Sequence, residues 1–227
     1  ENRFRILSKA VGLPDRSRDI MNKKGILAVV SGFSGAGKGT LMKELLNQHQ
    51  DQYALSISAT TRKPREGEEH GREYFFLTVE EFQNMIAEDA LIEHACYVGN
   101  YYGTPRSYVE EQMAAGRDVI LEIEIQGALE VKKKFPDTLL LFVTPPSAEV
   151  LEERLRGRGT ETEEVIRERL KRASQEAMYM DQYDYILVND NLETCVEQMH
   201  QLIQSQHEKV SENLDFIEEM KTELKQL

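Results

Sequence analysis

The chain is 227 residues long, 40% hydrophobic and 30% charged, with a formal net charge of −12. This length accommodates one large core or one core with inserted subdomains, and we expect the latter. The negative charge would repel phosphate backbones, and no stretch approaches the ~20 apolar residues of a membrane span. We therefore expect neither nucleic acid nor a membrane as a partner.

The cysteine and histidine content argues against a disulfide framework or a structural zinc site. The two cysteines, Cys96 and Cys195, have no paired spacing to the five histidines. A reducing compartment fits this pattern best, so we expect a cytoplasmic protein.

Residues 1–20 carry five basic and three acidic side chains without a clear apolar period, and they stop just before Met21. We interpret residues 1–20 as an expression leader, with Met21 as the natural start. A genuine N-terminal arm or a targeting peptide is the alternative. The acidic residues and the lack of a hydrophobic segment argue against a targeting peptide.

The strongest motif is a glycine-rich loop, GFSGAGKGT, at residues 32–40. An apolar run at 26–30 predicts a buried parallel strand before it, and apolar residues at helical spacing in 41–46 predict a helix after it. Strand, glycine loop and helix in this order are the context of a P-loop, although a structural glycine turn is the alternative. Its glycines let backbone N–H groups turn toward a phosphate, and Lys38 reaches the outer phosphates.

The P-loop pattern predicts which residues bind a nucleotide phosphate. Gly32, Gly37 and Lys38 fit the motif in register, but its last position holds Gly39, and the hydroxyl comes one residue later, at Thr40. The predicted ATP-binding residues of the loop are Gly32, Ser34, Gly35, Ala36, Gly37, Lys38, Gly39 and Thr40.

Beyond the P-loop helix, an alternating run at 53–60 predicts a strand that leads into Arg62 and Arg65. Two arginines three residues apart at a strand end could bind a phosphate in bidentate fashion, although a solvated basic loop is the alternative. A strand at 71–77 and a helix at 79–90 follow, and residues 99–105 are interpreted as a glycine and tyrosine turn.

Residues 119–127 predict a second core strand that carries Glu122 and Glu124. Alternation places both carboxylates on the same face, which is unusual for a buried strand unless they meet a cation or a polar substrate. An edge strand with one wet face is the alternative. The apolar runs at 138–143 and 185–188 argue against it, because they predict a sheet covered on both faces.

Six arginines lie between residues 154 and 172, in an otherwise acidic chain. Arg154 and Arg158 are four apart on one predicted helix face, just before a glycine, and Arg169 lies on the next helix. This pattern predicts a mobile segment that closes on polyphosphate; a surface helix with glutamate partners is the ordinary alternative. A final helix begins near Leu192, and its long apolar stripe predicts that its end packs on a partner subunit or lies exposed.

Six segments occur in an order that resembles the guanylate kinase family. They are GFSGAGKGT at 32–40, SATTRKPR at 58–65, IE at 92–93, GNYYG at 99–103, IQG at 125–127 and RLRGRGT at 154–160. The resemblance runs from about Gly25 to His200. Its most specific part is the S-x-T-T-R-x-P-R segment followed by N-Y-Y-G.

The resemblance implies an α/β fold and an ATP:GMP phosphotransferase that uses Mg²⁺, gives ADP and GDP, and also accepts dGMP. The fold would be a five-stranded parallel P-loop core with a GMP-binding insert and an arginine lid. The implied boundaries are 21–56, 106–146 and 176–227 for the core with the C-terminal helix, 57–105 for the insert and 147–175 for the lid.

The resemblance also implies roles for individual residues. Arg62, Arg65, Tyr74 and Tyr102 would hold the GMP phosphate, Ser58, Glu93 and Thr104 would bind guanine, and Glu122 and Glu124 would lie beside the GMP. Lys38, Arg154, Arg158 and Arg169 would act on the transferred phosphoryl group, and Asn189 would lie near the adenine. The guanine assignments make chemical sense, because N1–H and N2–H are donors that suit a carboxylate.

The sequence departs from the family pattern at the P-loop and at the second core strand. Glu122 and Glu124 stand where many members have aspartate, Phe33 replaces a frequent proline, and Gly39 replaces a frequent serine. Thr40 is therefore the hydroxyl expected near Mg²⁺, with Glu122 orienting the metal through a water and Glu124 as the alternative for that role.

Two alternative functions stay open at this point. One is a non-catalytic guanylate-kinase-like binding module, although such modules typically have a degraded P-loop. The other is a P-loop enzyme that phosphorylates another monophosphate or hydrolyses nucleotides. We also expect that the chain could form a homo-oligomer through its C-terminal helix.

Overall fold

A computed structural model describes residues 24–97, 99–157 and 162–227 of the chain. The predictions for residues 1–20 and for Arg158 lie outside these described residues. The strands are β1 (Leu27–Gly32), β2 (Tyr53–Leu55), β3 (Ala59–Thr60), β4 (Phe75–Phe76), β5 (Leu91–Tyr97), β6 (Asn100–Pro105), β7 (Asp118–Glu122), β8 (Leu139–Thr144) and β9 (Tyr185–Val188). The α-helices are α1 (Lys38–Gln48), α2 (Val79–Ala87), α3 (Arg106–Ala114), α4 (Ile125–Lys134), α5 (Ala148–Arg156), α6 (Glu163–Glu176), α7 (Leu192–Gln204) and α8 (Leu214–Leu224).

The larger sheet has five parallel strands in the order β2-β7-β1-β8-β9. Alternate residues of β1 point to opposite faces. Val30 packs with α1 and α7, whereas Val29 packs with side chains of α3 and α4 such as Val109 and Val131. A continuous buried run of this kind is typical of a parallel strand covered on both faces. The predicted α/β fold with a five-stranded parallel sheet is confirmed.

A smaller sheet lies in the segment between β2 and α3, in the order β4-β3-β6-β5. Its apolar cluster contains Ala59, Phe82 and Leu91. Helix α2 covers this cluster, and it begins with a capping box in which Thr78 and Glu81 hydrogen-bond each other's backbone N–H groups. The second sheet therefore has its own small core, at the place where an insert is expected.

The strand predicted at 53–60 is instead divided between the two sheets. β2 ends at Leu55, although the Ser56 N–H still donates to the Ile120 carbonyl at 2.9 Å. β3 then pairs with β4 and β6 in the smaller sheet. An alternating pattern does not reveal this change of partner, because both pieces have the same period.

The turn predicted at 99–105 is wrong in its larger part, since Asn100–Pro105 form β6. β6 pairs antiparallel with both β3 and β5, so its tyrosines lie in a sheet. Gly103 allows the close approach, because a Cβ there would lie 2.8 Å from the Glu93 carbonyl oxygen.

The strand predicted at 119–127 is also too long. β7 ends at Glu122, and α4 begins at Ile125 with Glu124 at its N-cap position. Ile125, Ala128 and Val131 are buried at helical spacing, which explains why the chain becomes a helix there. Glu122 and Glu124 therefore do not share the face of one strand.

The outer edge of the sheet is more exposed than the sequence pattern indicates, whereas the exposed end of the C-terminal segment agrees with one of the two alternatives predicted for it. On the edge strand β9, Tyr185, Ile186 and Val188 are 42–45% exposed, so the sheet is not fully covered on both faces. The C-terminal stripe is broken as well: α7 is buried on one side, 3₁₀ turns follow, and α8 has no buried residue. None of the described helices is long and apolar enough to cross a bilayer.

Candidate active site

The candidate site lies along one edge of the parallel sheet. Because β1, β7, β8 and β9 are parallel, their carboxyl ends meet at this edge. The glycine loop follows β1, Glu122 ends β7, and Asn189 follows β9. In open parallel sheets, this edge is where ligands bind.

The glycine loop adopts backbone geometry that side chains would prevent. At Gly32, a Cβ would lie 2.1 Å from the Val143 carbonyl oxygen, and at Gly37, where φ is +86°, it would lie 2.6 Å from the Asn189 side-chain nitrogen. α1 begins directly afterwards, at Lys38, so the N–H groups of its first turn have no partner within the helix. Strand, loop and helix form the anion-binding arrangement that the sequence predicts.

Lys38 lies inside this loop. Its Nζ donates to the carbonyl oxygens of Gly32 at 2.7 Å and Phe33 at 3.2 Å. Burial lowers the pKa of Lys38, while the charges of Glu122 and Glu124 oppose that shift. The ammonium group is therefore a partly desolvated cation, held by backbone carbonyls beside two carboxylates.

The two carboxylates beside Lys38 have different partners. Glu124 forms an ion pair with Arg172 of α6. Burial raises the pKa of Glu122, and the charge of Lys38 lowers it. The side chain of Glu122 is nevertheless exposed to solvent, as is Thr40 in the first turn of α1. Both carboxylates are therefore exposed and within electrostatic reach of Lys38, and they differ in that Glu124 is paired with Arg172.

Two arginines of the predicted lid contact the loop region. Arg169 of α6 donates to Ser34 Oγ at 2.6 Å. Arg154 of α5 donates to the Asn189 carbonyl oxygen at 2.9 Å, and the Asn189 side chain donates to the Ala36 carbonyl oxygen at 2.8 Å. Asn189, which the sequence assigns to adenine, is 6% exposed, and its amide braces the loop. The roles of these residues stay predictions, as does that of Arg158.

Three of the four residues predicted to hold the GMP phosphate lie together beside the smaller sheet. The Arg62 guanidinium carbon lies 5.3 Å from the centroid of the Tyr74 ring, and the rings of Tyr74 and Tyr102 are 6.2 Å apart. Arg65 is exposed in the same loop, and Ser58 lies directly before β3. Cationic and hydroxyl groups therefore converge at the end of β3, as phosphate binding requires.

Glu93 and Thr104, which the sequence assigns to guanine, form a buried pair. Thr104 Oγ1 donates to Glu93 Oε1 at 2.8 Å. Thr104 is 0% exposed and Glu93 is 8% exposed. Burial raises the pKa of Glu93, and the hydrogen bonds from Thr104 oppose the shift. A buried carboxylate with one oxygen on a threonine is a suitable acceptor for two adjacent N–H donors.

An irregularity in β5 sets the position of Glu93. The pairing with β6 shifts between Leu91 and His94, with one extra residue on the β5 side. Bulges of this kind redirect side chains and are frequent beside active sites. As a result, Ile92 packs in the main core while the next residue, Glu93, is also buried.

Comparison with known proteins identifies the family. The sequence model of the family described as guanylate kinase matches residues 24–206. The chain belongs to the guanylate kinase family. It is 48% identical over 190 residues to a guanylate kinase of Streptococcus thermophilus, covering 84% of this chain and 91% of that one. It is 49% identical over 189 residues to a guanylate kinase of Bacillus subtilis, covering 83% and 93% of the two chains.

A solved guanylate kinase structure also resembles this chain. The crystal structure of guanylate kinase from Anaplasma phagocytophilum matches with a TM-score of 0.64 and 30% identity, covering 83% of this chain and 89% of that chain. The resemblance inferred from the six sequence segments is therefore confirmed.

The structure explains one position at which the loop departs from the family pattern. Phe33 stands where the family frequently has proline, and it is 8% exposed. Its ring packs edge-on against Phe142 of β8, with centroids 5.0 Å apart. The loop is thus held to the sheet by aromatic packing, which is an alternative to the stiffness that proline gives.

Sequence reasoning assigned no role to three further residues of the candidate site. Arg172 neutralises Glu124, and a Cβ on Gly127 of α4 would lie 3.3 Å from Glu93 Oε2, so this glycine leaves room beside the carboxylate. Glu68 binds Arg62. A signal for Glu68 was present, since it follows Arg62 and Arg65 at the same spacing of three residues.

Proposed function

We propose that this chain is a guanylate kinase that transfers the γ-phosphoryl group of ATP to GMP, giving ADP and GDP. One observation carries the proposal: a P-loop with Lys38 occurs in the same chain as the buried acceptor pair Glu93–Thr104. The first suits the phosphates of ATP, and the second suits the N1–H and N2–H donors of guanine. We expect dGMP to be a further acceptor.

On the ATP side, the proposed task is to align two phosphates and to neutralise the charge between them. Phosphoryl transfer needs little covalent chemistry from the protein, so positioning and electrostatics dominate. Lys38 and Arg169 already contact the loop, and Arg154 contacts it through Asn189. We propose that these cations, with Arg158, stabilise the transferred group and exclude water when the lid at 147–175 closes.

On the GMP side, we propose two separate tasks. Arg62, Arg65, Tyr74 and Tyr102 bind the 5′-phosphate, and three of them, Arg62, Tyr74 and Tyr102, lie together beside the smaller sheet. Ser58, Glu93 and Thr104 bind the base. This division corresponds to residues 57–105 acting as the GMP-binding subdomain, with 21–56, 106–146 and 176–227 as the core and 147–175 as the lid.

A divalent metal fits this site only together with nucleotide phosphates. Mg²⁺ prefers oxygen ligands and is commonly held by one or two protein oxygens plus phosphates and waters. Thr40 and Glu122 supply such oxygens beside the loop, and both are exposed. Among the described residues, no group of three or more acidic, histidine or cysteine side chains could hold a metal alone. We propose that Thr40 binds Mg²⁺ directly and Glu122 through a water; when bound, the metal neutralises phosphate charge.

The cellular location is also a proposal. Cys96 and Cys195 are both free thiols, one exposed and one buried. Free thiols suit a reducing compartment, so we propose the cytoplasm.

A panel of phosphoryl acceptors tests the proposed function. ADP release from ATP and Mg²⁺ would be followed with GMP, AMP, dTMP and no acceptor in parallel. We expect turnover with GMP at least about 100-fold above that with AMP or dTMP, because a site built to hydrogen-bond one base rejects others strongly. Equal turnover without acceptor would indicate a nucleotide hydrolase, and binding of GMP without any turnover would indicate a binding module.

A further inference from the structure

Arg62 and Glu68 form an unusually well-shielded ion pair in the GMP-binding segment. Nη1 of Arg62 donates to Glu68 Oε2 and Nη2 donates to Oε1, both at 2.9 Å. The two side chains are only 16% and 17% exposed. By contrast, the neighbouring pair of Arg72 and Glu73 is 54% and 36% exposed. A bidentate, partly desolvated pair fixes the orientation of the guanidinium group, which an exposed pair does not.

The remaining contacts of Arg62 show which edge of its guanidinium is left. Nη1 also donates to the Lys63 carbonyl oxygen at 2.8 Å. A guanidinium has five N–H donors, and these three bonds do not use Nε–H or the second N–H of Nη2, which lie side by side. Tyr102 also hydrogen-bonds the same guanidinium. The Nε–H and Nη2–H pair has the spacing that binds two oxygens of one phosphate.

Aromatic rings restrict the plane of the same guanidinium. Its carbon lies 5.3 Å from the Tyr74 ring centroid and 5.7 Å from that of Phe76. The hydrogen bond that Arg62 donates to Glu68 is the largest cause of the raised pKa of Arg62, and Tyr102 also contributes to it. The two rings therefore restrict the plane of the Arg62 guanidinium group, and the bonds to Glu68 fix its rotation within that plane.

Glu68 has a second contact in the same loop. Its Oε2 also accepts the backbone N–H of Arg65 at 2.7 Å. One carboxylate therefore sets the side chain of Arg62 and the backbone of Arg65, the two arginines predicted to bind the phosphate. Glu68 itself is negative and would repel a phosphate if it were a direct ligand.

We propose that Glu68 is a positioning residue for GMP recognition: it holds Arg62 and Arg65 so that their remaining donors are presented to the 5′-phosphate. This inference rests on the proposed function, because it assumes that GMP binds here. Two other roles are physically conceivable for the same contacts. In one, Glu68 stabilises the loop without affecting phosphate binding. In the other, it competes with the phosphate for Arg62.

Glu73 offers a matched control a few residues away. Its Oε2 accepts the backbone N–H of Glu69 at 2.8 Å, and its Oε1 accepts from Arg72 Nε at 2.6 Å. It therefore makes the same two kinds of bond as Glu68, but to an arginine that is not assigned to the phosphate.

The test compares calorimetric titrations of GMP and guanosine with the wild type, Glu68→Gln and Glu73→Gln. The expected result is a Kd for GMP about 10- to 100-fold weaker in Glu68→Gln, with guanosine unchanged within about twofold, because only GMP carries the phosphate. Glu73→Gln should leave both values unchanged. In an Arg62→Met background, Glu68→Gln should add less than about threefold, since the two residues act as a unit.

Each other outcome contradicts the inference in a distinct way. Equal weakening of GMP and guanosine would show a structural role, no change would remove Glu68 from recognition, and tighter GMP binding would identify a competitor. If Glu68→Gln fails to fold by circular dichroism, Glu68→Asp replaces it, and the same selective loss for GMP is required. A wild type that binds neither ligand would contradict the proposed function instead of the role of Glu68.

Discussion

Two carboxylates stand at opposite ends of strand β7. Asp118 is its first residue and Glu122 its last, so they are about 13 Å apart along one strand. Asp118 is 2% exposed and accepts the Ile26 N–H at 2.8 Å and the Gln204 side-chain N–H at 2.9 Å. Glu122 is exposed, and its pKa responds to the charge of Lys38.

The surroundings of the two carboxylates follow the same contrast. At the amino end of the sheet, His207 Nε2 lies 2.8 Å from Asp118 Oδ1, and the Tyr53 hydroxyl lies 2.7 Å from His200 Nδ1. These polar groups satisfy one another. At the carboxyl end, Lys38 donates to backbone carbonyls of its own loop, and Glu122 is exposed to solvent.

The difference shows that one strand can serve two purposes. A closed polar network stabilises the fold, because every buried donor in it has an acceptor. Charges that face a cleft are available to a ligand, and perturbed pKa values gather at such places. Substitutions at the amino end should therefore change stability, and those at the carboxyl end should change activity.

The largest expected effect is the loss of stability in Asp118→Ala. The substitution removes the carboxylate that accepts from the Ile26 N–H and Gln204 and that contacts His207, and breaking a buried polar cluster of this kind costs about 3 to 5 kcal/mol. Urea unfolding followed by circular dichroism measures the change. Below the unfolding transition, kcat/KM for GMP should stay within about twofold of the wild type; a large loss of activity in the folded variant would mean that the two ends of β7 are coupled.

At the opposite end, Lys38→Met should reduce kcat by about 100-fold or more while leaving the urea midpoint unchanged. The charge of Lys38 matters where negative charge shifts between phosphates, and a lost electrostatic donor typically costs about 2.7 to 4 kcal/mol of transition-state stabilisation. The Kd for GMP should barely change. A variant that keeps more than about a tenth of kcat would contradict the catalytic role of Lys38.

The next prediction concerns Glu93, where one substitution should affect activity and stability differently. Glu93→Gln should lower kcat/KM for GMP by roughly 30- to 1,000-fold, because an acceptor becomes a donor that faces a donor. IMP lacks the 2-amino group, so it should lose less than GMP does. Equal losses for the two substrates would show that Glu93 does not bind the 2-amino group.

The same variant should not be less stable at neutral pH. Burial raises the pKa of Glu93, so the folded state disfavours its charge, and the stability linked to its protonation is present at low pH and lost as pH rises through the folded pKa. The Glu93→Gln substitution removes that charge. We therefore expect the variant to unfold at an equal or higher urea concentration than the wild type at pH 7, with the advantage shrinking toward acid.

The sequence predicts the P-loop better than it predicts the bulge at Glu93 or the polar network around Asp118. The P-loop was predictable because its spacing, strand and helix are local, and Lys38 lies where the motif places it. The bulge that buries Glu93 and the network around Asp118 depend on strand register and on contacts between residues 86 to 92 positions apart, which a local pattern does not contain. Glu124 shows the opposite error, in which a local alternation was extended across the end of β7 into α4.

The smallest expected effect concerns the C-terminal segment, where the closed network ends. Gln206 is 4% exposed and His207 contacts Asp118, whereas in α8 Leu214, Phe216 and Leu224 are 52–60% exposed. Deletion of residues 214–227 should therefore change the free energy of unfolding by less than about 0.5 kcal/mol, while deletion of 205–227 should cost several times more, because it also removes His207.

Sedimentation of the same samples tests the predicted self-association through this helix: the shorter deletion should lower the mass of the sedimenting species if α8 joins two copies. A loss of several degrees in Tm at unchanged mass would instead show that α8 packs on its own domain, and the boundary between the network and the exposed helix would then lie beyond Asn213.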